Sequence, residues 1–272
     1  IKVAQLAGYV AEHSAYHHGE MSLTETIINM AQNFVGSNNI NLLMPNGQFG
    51  SRHQGGKDHA SARYVFTCMS RLTRKIFPES DDHSLTYVED DGQMVEPTYY
   101  VPILPMVLVN GNKGIGTGWS THIPNYDPRE LCRIMMDMIN DKPAPENLLP
   151  WYKGYLGDIV MKPNGKSVET RGVIEATDDP TMIHVTDLPV GRWTKDYKEQ
   201  LDKFIDEDRT VVTIKEHHTD NKIHFEIQLD EDFQRNNENN LHSALKLSNS
   251  IHLGNLVAFN RNNIIRRYEN VR

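Results

Sequence analysis

The amino-acid sequence predicts an α+β protein, and three observations carry that expectation. The first 36 residues hold two amphipathic helical patterns separated by a short break. Beyond residue 150 the chain turns to short apolar runs between turn signals, and Ile223, Phe225, Ile227 and Leu229 alternate strictly, as a half-buried strand requires. Helices gathered toward one end and strands toward the other are the segregated pattern of α+β folds. At 272 residues, the chain has room for one large or two medium domains, each able to bury a core.

The elements follow in order. Val3, Leu6, Ala7 and Val10 recur at a period near that of a helix. After a break at residues 16–20, Ser22-Leu23-Thr24-Glu25 reads as a capping box for a second helix whose stripe is Ile27, Ile28, Ala31, Phe34 and Val35. Gly36 is placed to end it. Helix, break and capped helix outline a helix-turn-helix unit, although many helical hairpins share that outline. Residues 36–60 are polar and glycine-punctuated, and 62–66 suggest a short strand. Cys68 to Phe77 suggest a helix stopped by Pro78. Asp90-Asp91-Gly92 reads as a hairpin turn, and Tyr99 to Val109 as an irregular edge strand carrying Pro102 and Pro105. A glycine-rich hairpin or loop follows at residues 111–118, then a helix from Arg129 to Ile139 after the Asp127-Pro128 start signal. Prolines 143, 145 and 150 mark a connector. Further on, strands are expected at Val173-Ile174, 182–185 and 223–229, with one helix through Tyr197, Leu201, Phe204 and Ile205 and another starting near Asp230.

Charge gives its information locally. The chain carries 28 Lys and Arg against 36 Asp and Glu, a net of −8, which taken whole argues against a polyanion partner. Residues 1–76, however, hold seven bases and four acids, and from Thr26 through Lys57 there is no Asp or Glu for 32 residues. An acid-free, glycine-rich loop containing Arg52, His53 and Lys57 suits a backbone approaching phosphates, although taken alone it reads slightly better as an ordinary long loop. No apolar run reaches 18 residues, so no membrane-spanning helix, and no membrane partner, is expected. Neither is a signal peptide. A start without Met, inside a helical pattern, suggests a piece of a longer protein. With only Cys68 and Cys132, a disulfide framework or a cysteine zinc site is excluded and a reducing compartment expected.

Two motif readings fail, and a third, a zinc site at three histidines, is the lesser reading beside anion contact or helix capping. Residues 50–58 approximate a P-loop, but Ser51 stands where its first Gly is required and Asp58 where its Ser/Thr belongs. Trp119 replaces the third glycine of a dinucleotide-binding fingerprint at 114–119. His13, His17 and His18 have metal-like spacing without a fourth ligand nearby.

The stretch Gly50-Ser51-Arg52-His53-Gln54-Gly55-Gly56-Lys57-Asp58, followed by Ala62-Arg63-Tyr64, resembles the active-site region of eukaryotic-type type IIA DNA topoisomerases. The resemblance continues in residues 16–23, 31–36, 105–108 and 110–120, and more diffusely in 188–189, 193–194, 197–199 and His218-Thr219-Asp220. It implies a winged-helix domain over residues 1–105 and a mixed α/β tower domain over 106–272, the latter including a hairpin that wedges DNA. It also implies that Tyr64 attacks a phosphodiester, leaving a 5′-phosphotyrosyl link, with Arg63 beside it for the developing charge. His17, His18, Arg52 and Lys57 are expected around the same phosphates, and Met21, Asn29 and Gln32 near the cleavage site. Ile115 is expected to insert between base steps. In the full-length enzyme the resemblance implies ATP hydrolysis and Mg²⁺ held by a TOPRIM domain. Further partners would be double-stranded DNA, a C-gate and a second copy of the protein, in the nucleus or another DNA-containing compartment. No metal or cofactor is expected to bind within this segment, which alone should be inactive. The alternative is a winged-helix DNA-binding fragment with no strand-cleaving role, Tyr64 being structural.

Overall fold

The computed structural model describes residues 1–145, 148–207, 209–219 and 222–271. Helices α1 (Val3–His13) and α2 (Glu20–Ala31) pack through Val3, Ala7, Leu23, Ile27, Ile28 and Ala31, with Phe49 and Val65 closing the same core. The second helix begins two residues before the expected cap. Gly19, at φ 90°, turns the chain into it, and the Ser22 hydroxyl is taken up by the Tyr16 hydroxyl at 3.1 Å. Gly19 holds a backbone conformation that most side chains resist, so the turn sets the helix start ahead of the side-chain cap.

The segment 62–66 is not a strand. Residues 62–64 form a turn, and Phe66 makes isolated bridges to Lys2 and Asn46. The helix expected through Cys68–Phe77 shrinks to α3 (Thr73–Ile76), followed by a 3₁₀ turn over Glu79–Ser84 and the expected hairpin, β1 (Tyr87–Asp90) with β2 (Gln93–Pro97). The anticipated edge strand at 99–109 is instead coil ending in α4 (Met106–Val109), with Pro105 at its N-cap. A proline lacks the N–H a ladder needs but sits without penalty at a helix start.

Residues 111–123 form the expected hairpin, β3 (Asn112–Gly116) paired with β4 (Trp119–Ile123), followed by α5 (Pro128–Ile139), whose first turn is capped by Asp127. Three more β units complete the chain. The first is a four-stranded antiparallel sheet ordered β7 (Val173–Ala176), β8 (Met182–Asp187), β10 (Phe225–Leu229), β9 (Val211–Glu216). Its core joins Ile183, Val185, Phe225 and Ile227 to Tyr197, Leu201 and Phe204 of α6 (Thr194–Asp206). Burial of these large side chains, at about 1.5–3 kcal/mol each, makes this the main hydrophobic anchor of the C-terminal half. The second is a three-stranded sheet, β11 (Ser248–His252), β6 (Ser167–Arg171), β5 (Ile159–Met161). The third is a hairpin of β12 (Leu256–Phe259) and β13 (Ile265–Tyr268). Asp230 caps α7 (Glu231–Asn237) as expected, and α8 (Leu241–Ala244) follows Asn239-Asn240. None of β5, β6, β9 and β11–β13 is visible as a pattern in the sequence. Among the described residues, no helix is long and apolar enough to cross a membrane.

Side-chain amides cross the boundary expected at residue 105. Asn39 donates to the carbonyls of Tyr126 and Trp151, both at 3.0 Å, and accepts from the Lys153 N–H at 2.9 Å. Asn110 exchanges two hydrogen bonds with the backbone of Ile40 (2.9 and 2.8 Å), and Asn125 donates to the Ser37 carbonyl at 2.8 Å. Asn39 and Asn125 are buried, so these amides satisfy backbone groups that water cannot reach.

Candidate nucleic-acid interface

Tyr64 owes its position to the first turn of α1. The N–H groups of Val3 and Ala4, which a helix cannot satisfy internally, donate to the carbonyls of Val65 (3.0 Å) and Ala62 (3.1 Å). With Val65 buried and the backbone held on both sides, the Tyr64 side chain projects outward, 70% exposed, and makes no side-chain hydrogen bond among the described residues. Arg63, also exposed, lies with its guanidinium 5.9 Å from the Tyr64 ring. A free phenol beside a permanent cation is equipped to meet a phosphate.

The break between α1 and α2 carries His17 and His18, both exposed, with His18 edge-on to Tyr16 at 5.5 Å. His13 is engaged elsewhere, stacked on Tyr9 at 3.9 Å. Among the described residues, no group of three or more His, Cys, Asp and Glu is placed to hold a metal ion. On α2, Met21 is 80% exposed and Asn29 is also at the surface. Gln32 turns inward. It is only 8% exposed, and its amide donates to the carbonyls of Phe49 (2.9 Å) and Gly56 (3.3 Å), holding the glycine loop against the helix end.

The loop 50–58 divides into an inward and an outward side. Asp58 closes it, accepting from the Ser51 N–H at 2.9 Å and the Ser51 hydroxyl at 2.5 Å. Burial pushes the Asp58 carboxyl up, but these hydrogen bonds outweigh burial and hold it below the usual carboxylate range. Gly55, at φ 63°, lies against Trp193, and Gly56, at φ 86°, lies against Gln32; a Cβ on either would overlap that neighbour. Arg52, expected at the phosphates, points inward instead. Its guanidinium pairs with Asp187 at 2.5 Å and donates to the Leu188 carbonyl at 2.6 Å, with side-chain exposures of 12% for Arg52 and 2% for Asp187. Asp187 also accepts from the N–H groups of Leu156 and Leu188, both at 2.8 Å. Lys57 faces outward, exposed and without an ion pair among the described residues. A cleft of about 390 Å³ borders the loop between Phe34, His53, Lys153, His218 and Lys222. Burial lowers the His218 pKa despite Glu216 at 3.2 Å. Asp220 of the expected His218-Thr219-Asp220 motif lies outside the described residues.

Ile115 sits near the tip of the β3–β4 hairpin, opposite Ser120, and is 94% exposed. Gly114 has no atom within reach of a notional Cβ, so the tip is slender as well as apolar. At its base His122 is half-buried, and burial, followed by the charges of Lys113 and His252, lowers its pKa. Sequence reasoning missed Asp187 and the asparagines at 39, 110 and 125 as structural ties, because nothing local in the sequence identifies their distant partners.

The architecture closely matches a solved protein, described as the Plasmodium falciparum topoisomerase II DNA-binding, cleavage and re-ligation domain. The TM-score is 0.95 at 44% identity, covering 100% of this chain and 37% of that one. The family model for the A-type subunit of DNA gyrase/topoisomerase IV matches residues 1–272, and the chain belongs to that family. Similar relatives include DNA topoisomerase 2 of Candida albicans, 49% identical over 276 residues, covering 100% of this chain and 18% of the relative. Another is DNA topoisomerase 2 of Drosophila melanogaster, 47% identical, covering 98% and 19%. The mitochondrial DNA topoisomerase 2 of Dictyostelium discoideum is 46% identical, covering 100% and 21%. The chain thus spans about a fifth of the length of these relatives.

Proposed function

We propose that this chain is the DNA-binding, cleavage and religation segment of an ATP-dependent type II topoisomerase, with Tyr64 as its nucleophile. The observation that carries the reading is Tyr64 itself: exposed, unbonded and beside Arg63, on a turn fixed by the end of α1. In the forward step the Tyr64 phenol gives up its proton and its oxygen attacks a backbone phosphorus. A phosphorus–oxygen bond to Tyr64 forms as the bond to the 3′-oxygen breaks, and that oxygen leaves as a hydroxyl with one proton. Attack by the 3′-hydroxyl reverses the exchange, so no bond energy is lost while a duplex passes. Arg63 offsets charge on the phosphate oxygens in both directions.

Residues 1–105 serve in this reading as a winged-helix domain and residues 106–272 as a tower domain. His17, His18 and Lys57 approach phosphates, Met21 and Asn29 lie near the cleavage site, and Ile115 enters a base step. Arg52 and Gln32 act from inside, by shaping the loop. Mg²⁺ would be held by carboxylates of a TOPRIM domain elsewhere in the protein. ATP, a C-gate and a second copy would likewise belong to the whole protein, in the nucleus or another DNA-containing compartment.

The test uses the full-length protein and a 3′-end-labelled duplex, trapping covalent DNA with denaturant. Tyr64→Phe is expected to reduce the labelled adduct to background while DNA binding persists. An adduct that survives this change removes Tyr64 as nucleophile and leaves a purely DNA-binding segment. Ile115→Ala is expected to reduce duplex bending, read by energy transfer between end labels, while phosphate-dominated affinity holds.

A further inference from the structure

We infer that the β12–β13 hairpin is a second duplex-contacting element, gripping the phosphate backbone on the flank of the base step that Ile115 enters. The inference rests on the functional reading above. The two hairpins form one surface. The His122 N–H donates to the Asn255 carbonyl at 2.9 Å, the Val257 N–H to the Thr121 hydroxyl at 3.2 Å, and the Asn255 amide to the Ser120 hydroxyl at 3.1 Å. Ile115, Trp119, Phe259 and Ile265 line a shared shallow depression of about 360 Å³. The second hairpin thereby continues the surface from which the wedge projects.

Charge selects the occupant. Arg261, Arg266 and Arg267 are exposed, and none has an ion-pair partner among the described residues. Their segment, residues 239–268, contains no Asp or Glu, and neither does the segment around the other hairpin, residues 97–126, where Lys113 stands. In a chain with more acids than bases, these acid-free stretches are far apart in sequence yet meet in space. An ordinary solvated face mixes both signs; this one is cationic and carries Phe259 (66% exposed) and Ile264 (60% exposed) besides. The tip is preorganised. Asn260 accepts on its side-chain oxygen from the N–H groups of Asn262 (2.9 Å) and Ile264 (3.0 Å), and its own N–H donates to the Ile264 carbonyl at 3.0 Å. Arg261 stands on this braced turn and Arg266 and Arg267 on the adjoining strand β13, so ordering their backbone on a phosphate costs little entropy.

The experiment compares two duplexes on the full-length protein. One ends just past the base step contacted by Ile115, and the other extends about one helical turn (~10 bp) further. The variant Arg261→Ala/Arg266→Ala/Arg267→Ala is expected to lose at least about tenfold more affinity for the long duplex than for the short one. The slope of its log affinity against log salt on the long duplex should become shallower, by roughly 0.9 for each phosphate no longer neutralised. The corresponding triple lysine variant is expected to restore most of the difference, because a phosphate grip needs charge first. Equal losses on both duplexes, or none, overturn the hairpin assignment; none is also what an acidic protein partner would produce. A wild-type protein that traps no covalent DNA on either duplex overturns the functional reading, and this inference with it.

Discussion

The loop at 50–58 and the hairpin at 112–123 are both glycine-rich, and the structure uses their glycines in opposite ways. In the loop, Gly55 and Gly56 admit a neighbour: Trp193 and Gln32 fill the space where their side chains would be. In the hairpin, Gly114 and Gly118 have no such neighbour, and their smallness leaves Ile115 standing clear. One set of glycines permits close packing and the other permits projection. Glycine content therefore marks a place where the backbone matters, without saying which surface it serves.

Removing the loop's inward tie should have the largest effect. Arg52→Ala leaves Asp187 buried without its cation, a loss of about 3–5 kcal/mol. Thermal melting should fall steeply, with the Tyr64 adduct lost in parallel; a variant that melts like the parent but no longer cleaves would return Arg52 to the phosphates. Gly55→Ala comes next. The strained φ alone costs about 1–3 kcal/mol, and contact with Trp193 adds to it. Denaturant unfolding measures this, and a neutral result would show that the indole is not a fixed neighbour. Gly114→Ala should be the mildest, within about 0.5 kcal/mol, because nothing meets the added methyl. A large loss there would erase the contrast between the two segments.

What the sequence disclosed followed the range of the forces involved. The helices at 3–13 and 128–139 and the hairpins at 87–97 and 112–123 announce themselves through periodicity, a cap or a turn, all readable within a few residues. The pairing of β11 with β6, or of β12 with β13 beside β4, depends on partners brought together from afar, and short strands carry little pattern of their own. The site divides the same way. A motif identified Tyr64, Arg63 and Ile115 as residues to watch, and all three are exposed. It could not say that Arg52 and Gln32 turn inward, because residue type does not fix direction: an arginine in a loop suits a phosphate and a buried aspartate equally well.

The asparagines at 110 and 125 flank the base of the Ile115 hairpin and fasten it to residues 37–40, just beyond α2. In mechanical terms the hairpin is a lever with a fixed root. A load applied at its tip would pass through these amide ties into the body that holds Tyr64. Stiffness at that root would make the curvature of a bound duplex something the distant tyrosine can feel.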